Sequence, residues 1–507
     1  MNSYVDFIIF EAYWAAMRVR EELVVHGRPI VPGTTTYPIS VPYDQSKVLL
    51  AARFLGPSKV AQKVREGGYT CQVISFTHLL TYEEIEKIIQ KFVGPSTLVG
   101  ISSTFNHHGG TIQITDFMKV FFKSHKETII GGPSAHVWAK QIQQQGYDFK
   151  YILSDYAENT VVPFLNKIKN FGLNKKQTST WDIQSCQHRW HDSSCIAEGE
   201  TLTLEISRGC IFKCKFCRYA YIGKKKGTYT RNMELIKEEL LYNYDKFKTT
   251  NYILSDDTFN DTVEKVEQWA DMIASLPFKI QYATYLRADL LHRYPHTMDL
   301  LKDSGLKAVH FGIESLNPKS AKTIGKGWSG KHAREFLPKL TNEIWNGQVL
   351  LHSSIIAGLP HDTPQDWEDV SNWAIDHELS ISMMTLDIHT SRKDTPDDER
   401  GGASIFDRHA EDYGYEIVYE KEGFTEWKLN GMTSSEIRKS MRQYNFINDT
   451  FGTMRPFQAM ELMSLDIPLK TIMTSSRYEI FSNPDTWKKT RKFVQNYVQR
   501  LLTVQTQ

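Results

Sequence analysis

The chain has 507 residues, of which 41% are hydrophobic and 23% charged, an ordinary composition for a globular protein that is too long for one hydrophobic core. Its 60 basic and 59 acidic residues leave a net charge of +1, so the overall charge does not favour binding to nucleic acid or to an anionic membrane. No apolar run reaches the roughly 18 residues of a membrane span, and the N-terminus lacks the basic and apolar regions of a secretory signal.

Residues 1–170 contain a series of alternating strands and helices that is recognisable from about Lys47 onward. Segments with apolar residues at helical spacing, such as Y-E-E-I-E-K-I-I-Q-K-F-V, alternate with short apolar segments. The short segments are K-V-L-L-A-A-R-F, T-C-Q-V-I-S-F, S-T-L-V-G-I-S-S-T-F, E-T-I-I-G-G-P-S and F-K-Y-I-L-S-D. Repeated βα units with continuously apolar strands predict a parallel, doubly wound, Rossmann-like α/β domain.

Residues 171–200 are polar and without periodicity, so we predict a linker there. The alternation resumes over residues 201–391, with strands predicted at L-T-L-E-I, N-Y-I-L-S-D, I-Q-Y-A-T-Y, A-V-H-F-G-I, L-L-H-S-S-I-I-A-G and S-M-M-T-L-D-I. Six βα repeats fall short of a full barrel of eight, so we predict a partial (β/α)6 barrel of TIM type with its active site at one face. Residues 392–507 are predicted to form a small mixed or helical region without an assignable fold.

Three of the six cysteines lie close together in S-R-G-C-I-F-K-C-K-F-C-R-Y-A, as Cys210, Cys214 and Cys217. Such sparse, clustered cysteines indicate metal chemistry in a reducing, cytoplasmic setting rather than a disulfide framework. Thiolates in a short loop suit zinc or an iron–sulfur cluster, but a closed zinc site needs a fourth ligand, and neither cysteine nor histidine occurs in the next twenty residues. Three thiolates on a four-iron cluster leave one iron open for a small chelating molecule.

The spacing C-x3-C-x-aromatic-C, with Phe216 as the aromatic residue, resembles the signature of the radical S-adenosylmethionine (SAM) enzymes. The resemblance implies that Cys210, Cys214 and Cys217 hold a catalytic [4Fe-4S] cluster, shielded by Phe216, whose open iron is chelated by SAM. It also implies reductive cleavage of SAM to methionine and a 5′-deoxyadenosyl radical that abstracts hydrogen from a substrate. The alternative is a structural zinc loop or a chance cluster of cysteines.

Polar residues at later strand ends follow the order of motifs that this resemblance implies. Asp256 and Asp257 stand where the family contacts the SAM amino group, although the family's usual Gly-Gly-Glu is absent. Arg287 follows the third strand and would bind the SAM carboxylate or a substrate anion. Glu314 and Ser315 match a G-x-E-S segment that contacts SAM. A helix cap, a turn or a surface salt bridge remains the alternative for each residue taken singly.

The doubly wound domain ahead of this core resembles that of the cobalamin-binding radical SAM enzymes. The resemblance and the crevice at strand ends in this fold make five residues candidates for cofactor binding: Ser102, Ser103, Thr104, Gly131 and Gly132. No D-x-H-x-x-G motif is present, so no histidine is evidently placed to bind cobalt. A scaffold that has lost cobalamin remains the alternative.

A second group of potential metal ligands, C-Q-H-R-W-H-D-S-S-C, runs from Cys186 to Cys195. Its residue types suit zinc or a second cluster, but the spacing is too tight for four ligands to converge easily on one tetrahedral ion. A linker near the barrel mouth is the favoured interpretation.

The sequence thus predicts a radical SAM enzyme that activates a C–H bond, with cobalamin-dependent methylation as one outcome. Cobalamin-independent rearrangement or epimerisation, methylthiotransfer, and a non-catalytic metal- or cluster-binding protein are the alternatives. Methylthiotransfer is disfavoured because that group carries a second three-cysteine cluster in its N-terminal domain, and residues 1–180 contain only Cys71. The expected partners are an electron donor such as flavodoxin or ferredoxin and a small-molecule or peptide substrate of unknown identity.

Overall fold

The computed structural model describes most of the chain, with gaps that are largest before residue 52. The described residues are 4–11, 23–25, 28–30, 52–103, 121–122, 127–132, 135–144, 146–153, 157–169, 182–184, 186–218, 224–326, 328, 330–390, 393, 403–421, 424–451 and 454–505. Within these ranges no helix is both long enough and apolar enough to cross a membrane.

The N-terminal domain contains a five-stranded parallel sheet in the order β4–β1–β5–β6–β7 and a separate two-stranded hairpin. The strands are β1 Phe7–Glu11, the hairpin strands β2 Leu23–Val25 and β3 Arg28–Ile30, then β4 Cys71–Ile74, β5 Leu98–Ser102, β6 Thr128–Gly131 and β7 Tyr151–Leu153. The helices are α1 Leu55–Glu66, α2 Tyr82–Phe92, α3 Ala135–Gln143 and α4 Ala157–Ile168. The strand order reverses beside β1, as in doubly wound folds, so the predicted fold class is confirmed.

The interior strand β1 was not predicted from the sequence. All five of its residues are buried, because it pairs with β4 on one side and β5 on the other. The βα alternation is recognisable in the sequence only from about Lys47, and the partner strand β4 lies some sixty residues after β1, so no neighbouring βα unit marked this strand. The predicted K-V-L-L-A-A-R-F strand is wrong over its described end, where residues 52–54 are irregular and Phe54 precedes helix α1.

The second domain is a six-stranded parallel sheet in sequential order from β8 to β13, which confirms the predicted partial barrel. Its strands are β8 Leu202–Glu205, β9 Asn251–Ser255, β10 Gln281–Leu286, β11 Leu306–Glu314, β12 Leu350–Ala357 and β13 Ser380–Thr385. Its helices are α5 Met233–Phe247, α6 Val263–Ala274, α7 Ala288–Arg293, α8 His296–Asp303, α9 Pro318–Ile324, α10 Gly330–Lys339 and α11 Pro364–Asp376. Each predicted strand of this domain is present.

The C-terminal region contacts both of the preceding domains. It comprises α12 Ile405–Arg408, an antiparallel sheet of β14 Glu416–Lys421, β15 Phe424–Leu429 and β16 Met432–Thr433, and the helices α13 Ser434–Phe451, α14 Pro456–Met463, α15 Leu469–Thr474, α16 Arg477–Ser482 and α17 Pro484–Thr503. Phe457 of α14 contacts Tyr285 of the barrel (ring centroids 4.7 Å apart), and Tyr497 of α17 accepts a hydrogen bond from the amide of Ser75 in the N-terminal domain (3.0 Å).

The described part of the predicted linker is packed rather than extended. Trp190 is 1% exposed, and Glu200 forms a buried ion pair with Arg53 of the N-terminal domain. Arg53 also donates to the carbonyl of Ser194 (2.7 Å). These contacts hold the segment between the two sheets, so it has a fixed position despite its polar composition.

Helix α13 covers the last strand of the barrel sheet, and Asn445 makes the connection. Its side chain accepts from the amide of Met383 and donates to the carbonyl of the same residue, both at 2.7 Å. An amide side chain thus takes the place of a neighbouring strand at a sheet edge, where unpaired backbone groups would otherwise be buried.

Replacing Asn445 with leucine is expected to lower the free energy of unfolding by about 1–3 kcal/mol, because two buried backbone groups of Met383 lose their partners. Chemical denaturation measures the change. Gln443→Ala, at an exposed position of the same helix, is the matched control and is expected to change stability by less than about 0.5 kcal/mol. Equal stability of the two variants would contradict the assigned role of Asn445.

Candidate active site

The three clustered cysteines lie in one loop that follows strand β8 at the mouth of the barrel. Cys210 is buried, and burial raises the pKa of its thiol, whereas Cys214 and Cys217 are partly exposed. Gly209, at φ 143°, donates its amide to Asp257 Oδ2 (3.1 Å). The loop therefore begins in a conformation that favours glycine and is attached at once to a carboxylate at the end of the next strand.

Arg287 brings a positive charge to the cysteine loop. Its Nη1 lies 3.9 Å from Cys214 Sγ, and its guanidinium lies 3.9 Å from the ring centroid of Phe212. It is also paired with Asp289 (2.7 Å). The predicted residues Asp257 and Arg287 thus both contact the loop that carries the cysteines.

Glu314 ends strand β11 in a left-handed conformation (φ 69°), which is uncommon for a residue other than glycine. Burial raises the pKa of its carboxyl, although Lys326 at 3.7 Å and Arg287 act in the opposite direction. A Cβ atom at Gly312 would overlap the Glu314 carboxylate. The glycine of the G-x-E segment therefore leaves space for the glutamate carboxylate in the position that it occupies.

The other residues predicted to bind SAM or shield the cluster have contacts elsewhere. Asp256 is buried in an ion pair with Lys265 (3.1 Å). Ser315 Oγ accepts the amide of Asn317 (3.1 Å), which is a local turn contact. Phe216 is partly buried against the barrel core. Of the adjacent pair Asp256 and Asp257, the structure thus brings only the second to the cysteine loop.

A cavity of about 310 Å³ lies between the carboxyl edge of the N-terminal sheet and the mouth of the barrel. Its volume falls within the roughly 300–1,000 Å³ of typical ligand pockets. Its apolar wall includes Phe7, Ile9, Phe54, Leu55, Pro57, Val60, Ile129 and Leu153. Its polar wall includes Lys59, Glu158, Glu205, Ser207, Arg208, Ser255 and Asp257. Because Asp257 also accepts the amide of Gly209, the cavity reaches the start of the cysteine loop.

Four of the five residues predicted to bind a cofactor in the N-terminal domain line this cavity: Ser102, Ser103, Gly131 and Gly132. Gly132 has φ 105°, and a Cβ atom there would overlap the carbonyl oxygen of Ser103. Thr104 lies outside the described residues. The sequence prediction therefore located one wall of the cavity.

The opposite, charged wall was not predicted. Arg208 bonds Glu205 (2.8 Å) and Glu158 (3.0 Å), and Lys59 pairs with Glu205. Burial raises the pKa of Glu205, but Lys59 and Arg208 together lower it to about 2. The Lys59–Glu205 and Arg208–Glu158 pairs join the N-terminal domain to the barrel across 146 and 50 positions of sequence, so no local pattern could have revealed them.

The two cysteines of the Cys186–Cys195 segment have separate contacts. Cys186 lies beside Lys59 (3.8 Å), whereas Cys195 donates to the carbonyl of Ser193 (3.5 Å). Across the described residues, no three or more histidine, cysteine, aspartate or glutamate side chains are arranged to hold a metal ion. The three cysteines of the loop are likewise not arranged around a metal ion. Their assignment as cluster ligands therefore depends on their donor chemistry and on similarity to known proteins.

Residues 204–374 match the model of the Radical SAM superfamily. These residues therefore carry a radical SAM domain, as the cysteine spacing predicted. The match supports the predicted cluster and SAM site.

Over nearly its whole length the chain shares its fold with the cobalamin-dependent SAM radical enzyme OxsB in its aqua-cobalamin-bound structure. The TM-score is 0.56 at 11% identity, covering 98% of this chain and 80% of OxsB. Among curated relatives, it is 22% identical to the ribosomal protein uS12 methylthiotransferase RimO of Sulfurihydrogenibium sp., over 64% of this chain and 71% of the relative. It is 25% identical to an uncharacterized methyltransferase of Pyrococcus horikoshii, over 66% of this chain and 75% of the relative.

The residues present fit both cofactor types. Three thiols from one loop, partly open to solvent and next to a guanidinium, are a donor set for a cluster with one open iron. In the cavity, Ser207 is 4% exposed, and its Oγ has no hydrogen-bond partner within the described residues. A buried polar atom on a cavity wall indicates a ligand or water that completes it.

Proposed function

We propose that this enzyme binds a [4Fe-4S] cluster and SAM at the cysteine loop and cobalamin in the cavity between the domains, and that it methylates an unactivated carbon. The observation that carries the proposal is the continuity of the cavity, which extends from the glycine turns of the N-terminal sheet to Asp257 beside the cysteine loop. A ligand bound there contacts both domains at once.

Each group of residues has a part in this function. Cys210, Cys214 and Cys217 hold the cluster, which when bound supplies one electron to cleave the sulfonium of SAM. Asp257 and Glu314 offer carboxylates to the SAM ammonium and hydroxyl groups, and Arg287 offers a guanidinium to its carboxylate. Gly131 and Gly132 leave room for a close approach of ligand to backbone, while the apolar wall excludes water.

Bound cobalamin supplies a carrier for the methyl group. The similarity to a cobalamin-bound enzyme over nearly the whole chain supports this choice at the level of fold. Methylthiotransfer, which the name of one relative indicates for that relative, is less well supported. Cys71, the one cysteine of residues 1–180, is buried in strand β4, so this domain lacks the cysteines for a second cluster.

The test uses protein reconstituted with iron and sulfide, SAM, dithionite and hydroxocobalamin. We expect S-adenosylhomocysteine to form when cobalamin is present and to be absent without it, because methyl donation from SAM leaves that product. Formation of 5′-deoxyadenosine alone, with the same yield with and without cobalamin, would support the cobalamin-independent radical reactions instead.

We propose that a small redox protein such as flavodoxin or ferredoxin delivers the electron where the cysteine loop reaches the surface. Lys213 and Lys225 are exposed on either side of the partly exposed Cys214 and Cys217, and they offer positive charge to an acidic donor. Reduced flavodoxin should replace dithionite in SAM cleavage, with a rate that falls as salt concentration rises. A rate independent of salt would contradict this docking surface. The substrate is a small molecule or peptide.

A further inference from the structure

The residue after the last cysteine of the loop, Arg218, is fully engaged by two carboxylates from later parts of the chain. Its Nε and Nη2 donate to the two oxygens of Asp407 at 2.6 and 2.7 Å, and its Nη1 donates to Asp387 Oδ2 at 2.9 Å. Its Nη2 also donates to the carbonyl of Asp387. The Arg218 side chain is 8% exposed. A two-pronged contact of this kind fixes both the position and the plane of the guanidinium.

Asp407 is itself held by the backbone around it. Its oxygens accept the amides of Ser404 (2.7 Å) and His389 (2.6 Å) besides the two bonds from Arg218. Its side chain is 0% exposed, and Ser404 and Asp407 form the capping box of helix α12. The carboxylate is therefore the junction between that helix, the chain that follows strand β13 and the cysteine loop.

A second pair of bonds fastens the same part of the loop. The carbonyl of Lys215 accepts the amide of Ile405, at the start of α12 (3.0 Å), and the amide of Lys215 donates to the carbonyl of Ile324 (3.1 Å). The segment Cys214–Arg218 is thus attached at both ends to residues that lie far from it in sequence. Cys210 depends on different contacts, through Gly209 and Asp257.

The partners of Arg218 lie outside the part of the chain that matches the radical SAM model, which ends at residue 374. We propose that Arg218 and Asp407 are positioning residues for the cluster, and that the C-terminal region sets the placement of Cys214 and Cys217. The inference depends on the proposed function in that it assigns the cluster to these cysteines. The inference adds Asp407 to the catalytic centre, and Asp407 lies in the C-terminal region, to which the sequence assigned no fold.

Arg218 also places a permanent positive charge one residue from a cluster ligand. A positive charge close to a cluster favours the reduced, more negative state of that cluster. Asp407 and Asp387 limit that effect by neutralising the guanidinium while they hold it in place. Loss of Asp407 should therefore change both the mobility of the loop and the electronic properties of the cluster.

The first test uses the apo-protein and does not require activity. Alkylation by iodoacetamide is followed at each cysteine by mass spectrometry in the wild type, in Asp407→Asn and in the control Asp412→Asn. Asp412 is an exposed carboxylate nearby, with a side chain that is 74% exposed. In Asp407→Asn we expect the alkylation of Cys214 and Cys217 to accelerate by about tenfold, because a charged and fully buried contact is lost. Cys210 should keep its wild-type rate.

Cys71 reports on global unfolding, since burial raises the pKa of its thiol to about 12. If Cys71 becomes reactive in Asp407→Asn, that variant has unfolded, and Arg218→Lys is compared with the wild type instead. Arg218→Lys keeps the charge but loses the two-pronged contact. Wild-type rates at Cys214 and Cys217 in a variant that keeps Cys71 protected would overturn the proposal.

The second test uses the reconstituted protein and the electron paramagnetic resonance spectrum of the reduced cluster with SAM. A shifted spectrum and a changed midpoint potential in Asp407→Asn, with wild-type values in Asp412→Asn, are expected. Unchanged spectra and potentials would contradict a positioning role. If the wild type formed no cluster, the proposed function would be contradicted. The alkylation rates of Cys214 and Cys217 would still show whether the Arg218–Asp407 contact positions the loop.

Discussion

Cys214→Ala is expected to abolish reductive cleavage of SAM, lowering the rate by more than about a thousandfold, as the loss of one member of a catalytic unit does. With two remaining thiols the loop cannot hold a four-iron cluster that keeps one iron for SAM. The same variant should lose the broad visible absorption of the cluster and bind fewer than four irons per chain. The measurements are iron and sulfide content and the yield of 5′-deoxyadenosine after anaerobic reconstitution.

Cys186→Ala is the matched control, because Cys186 is partly exposed and lies beside Lys59, with no part in the loop. It should retain four irons and wild-type SAM cleavage. If Cys214→Ala kept its activity, or if Cys186→Ala lost it, the assignment of the cluster to the loop would be wrong.

Gly131→Leu is expected to weaken cobalamin binding by about tenfold to a hundredfold through steric overlap. Gly131 ends strand β6 on the face that also carries Ile129, and both residues line the cavity. A Cβ atom at Gly131 has Leu153 O at 3.6 Å as its nearest neighbour, which is an ordinary contact. A longer side chain therefore fits the backbone but projects toward the space that the ligand would occupy.

Gly131→Ala is the control: its Cβ meets no protein atom closer than that contact, so it should fold as the wild type does and lose less affinity for hydroxocobalamin than Gly131→Leu. Binding is measured by spectral titration, and the thermal melting of both variants checks the fold. Wild-type affinity in Gly131→Leu would place the ligand somewhere other than this cavity.

The fold could be predicted where each strand has a helix beside it in sequence. The six barrel strands and the later strands of the N-terminal sheet follow that pattern, so their periodicity located them. Strand β1 does not, because its sheet partners lie far along the chain and the recognisable alternation begins only near Lys47. The C-terminal region was beyond prediction for a related reason, since residues such as Asn445 and Tyr497 find their partners in other domains.

The candidate site could be predicted as far as it consists of local motifs. The cysteine spacing located the loop, and the G-x-E segment located Glu314 and the glycine that leaves space for its carboxylate. Sequence could not decide between Asp256 and Asp257, because the choice depends on Lys265, which pairs with the first. Nor could it reveal the pairing of Arg218 with Asp407, which are separated by 189 positions and belong to different structural units.

The most direct test of the central claim is the fate of SAM with the wild-type protein, reconstituted with iron and sulfide under anaerobic conditions and reduced by dithionite. Chromatography with mass spectrometry measures 5′-deoxyadenosine and methionine. We predict that both form in proportion to protein carrying four irons per chain, and that neither forms with Cys214→Ala. A fully loaded protein that binds SAM but yields no 5′-deoxyadenosine and consumes no SAM would contradict the account.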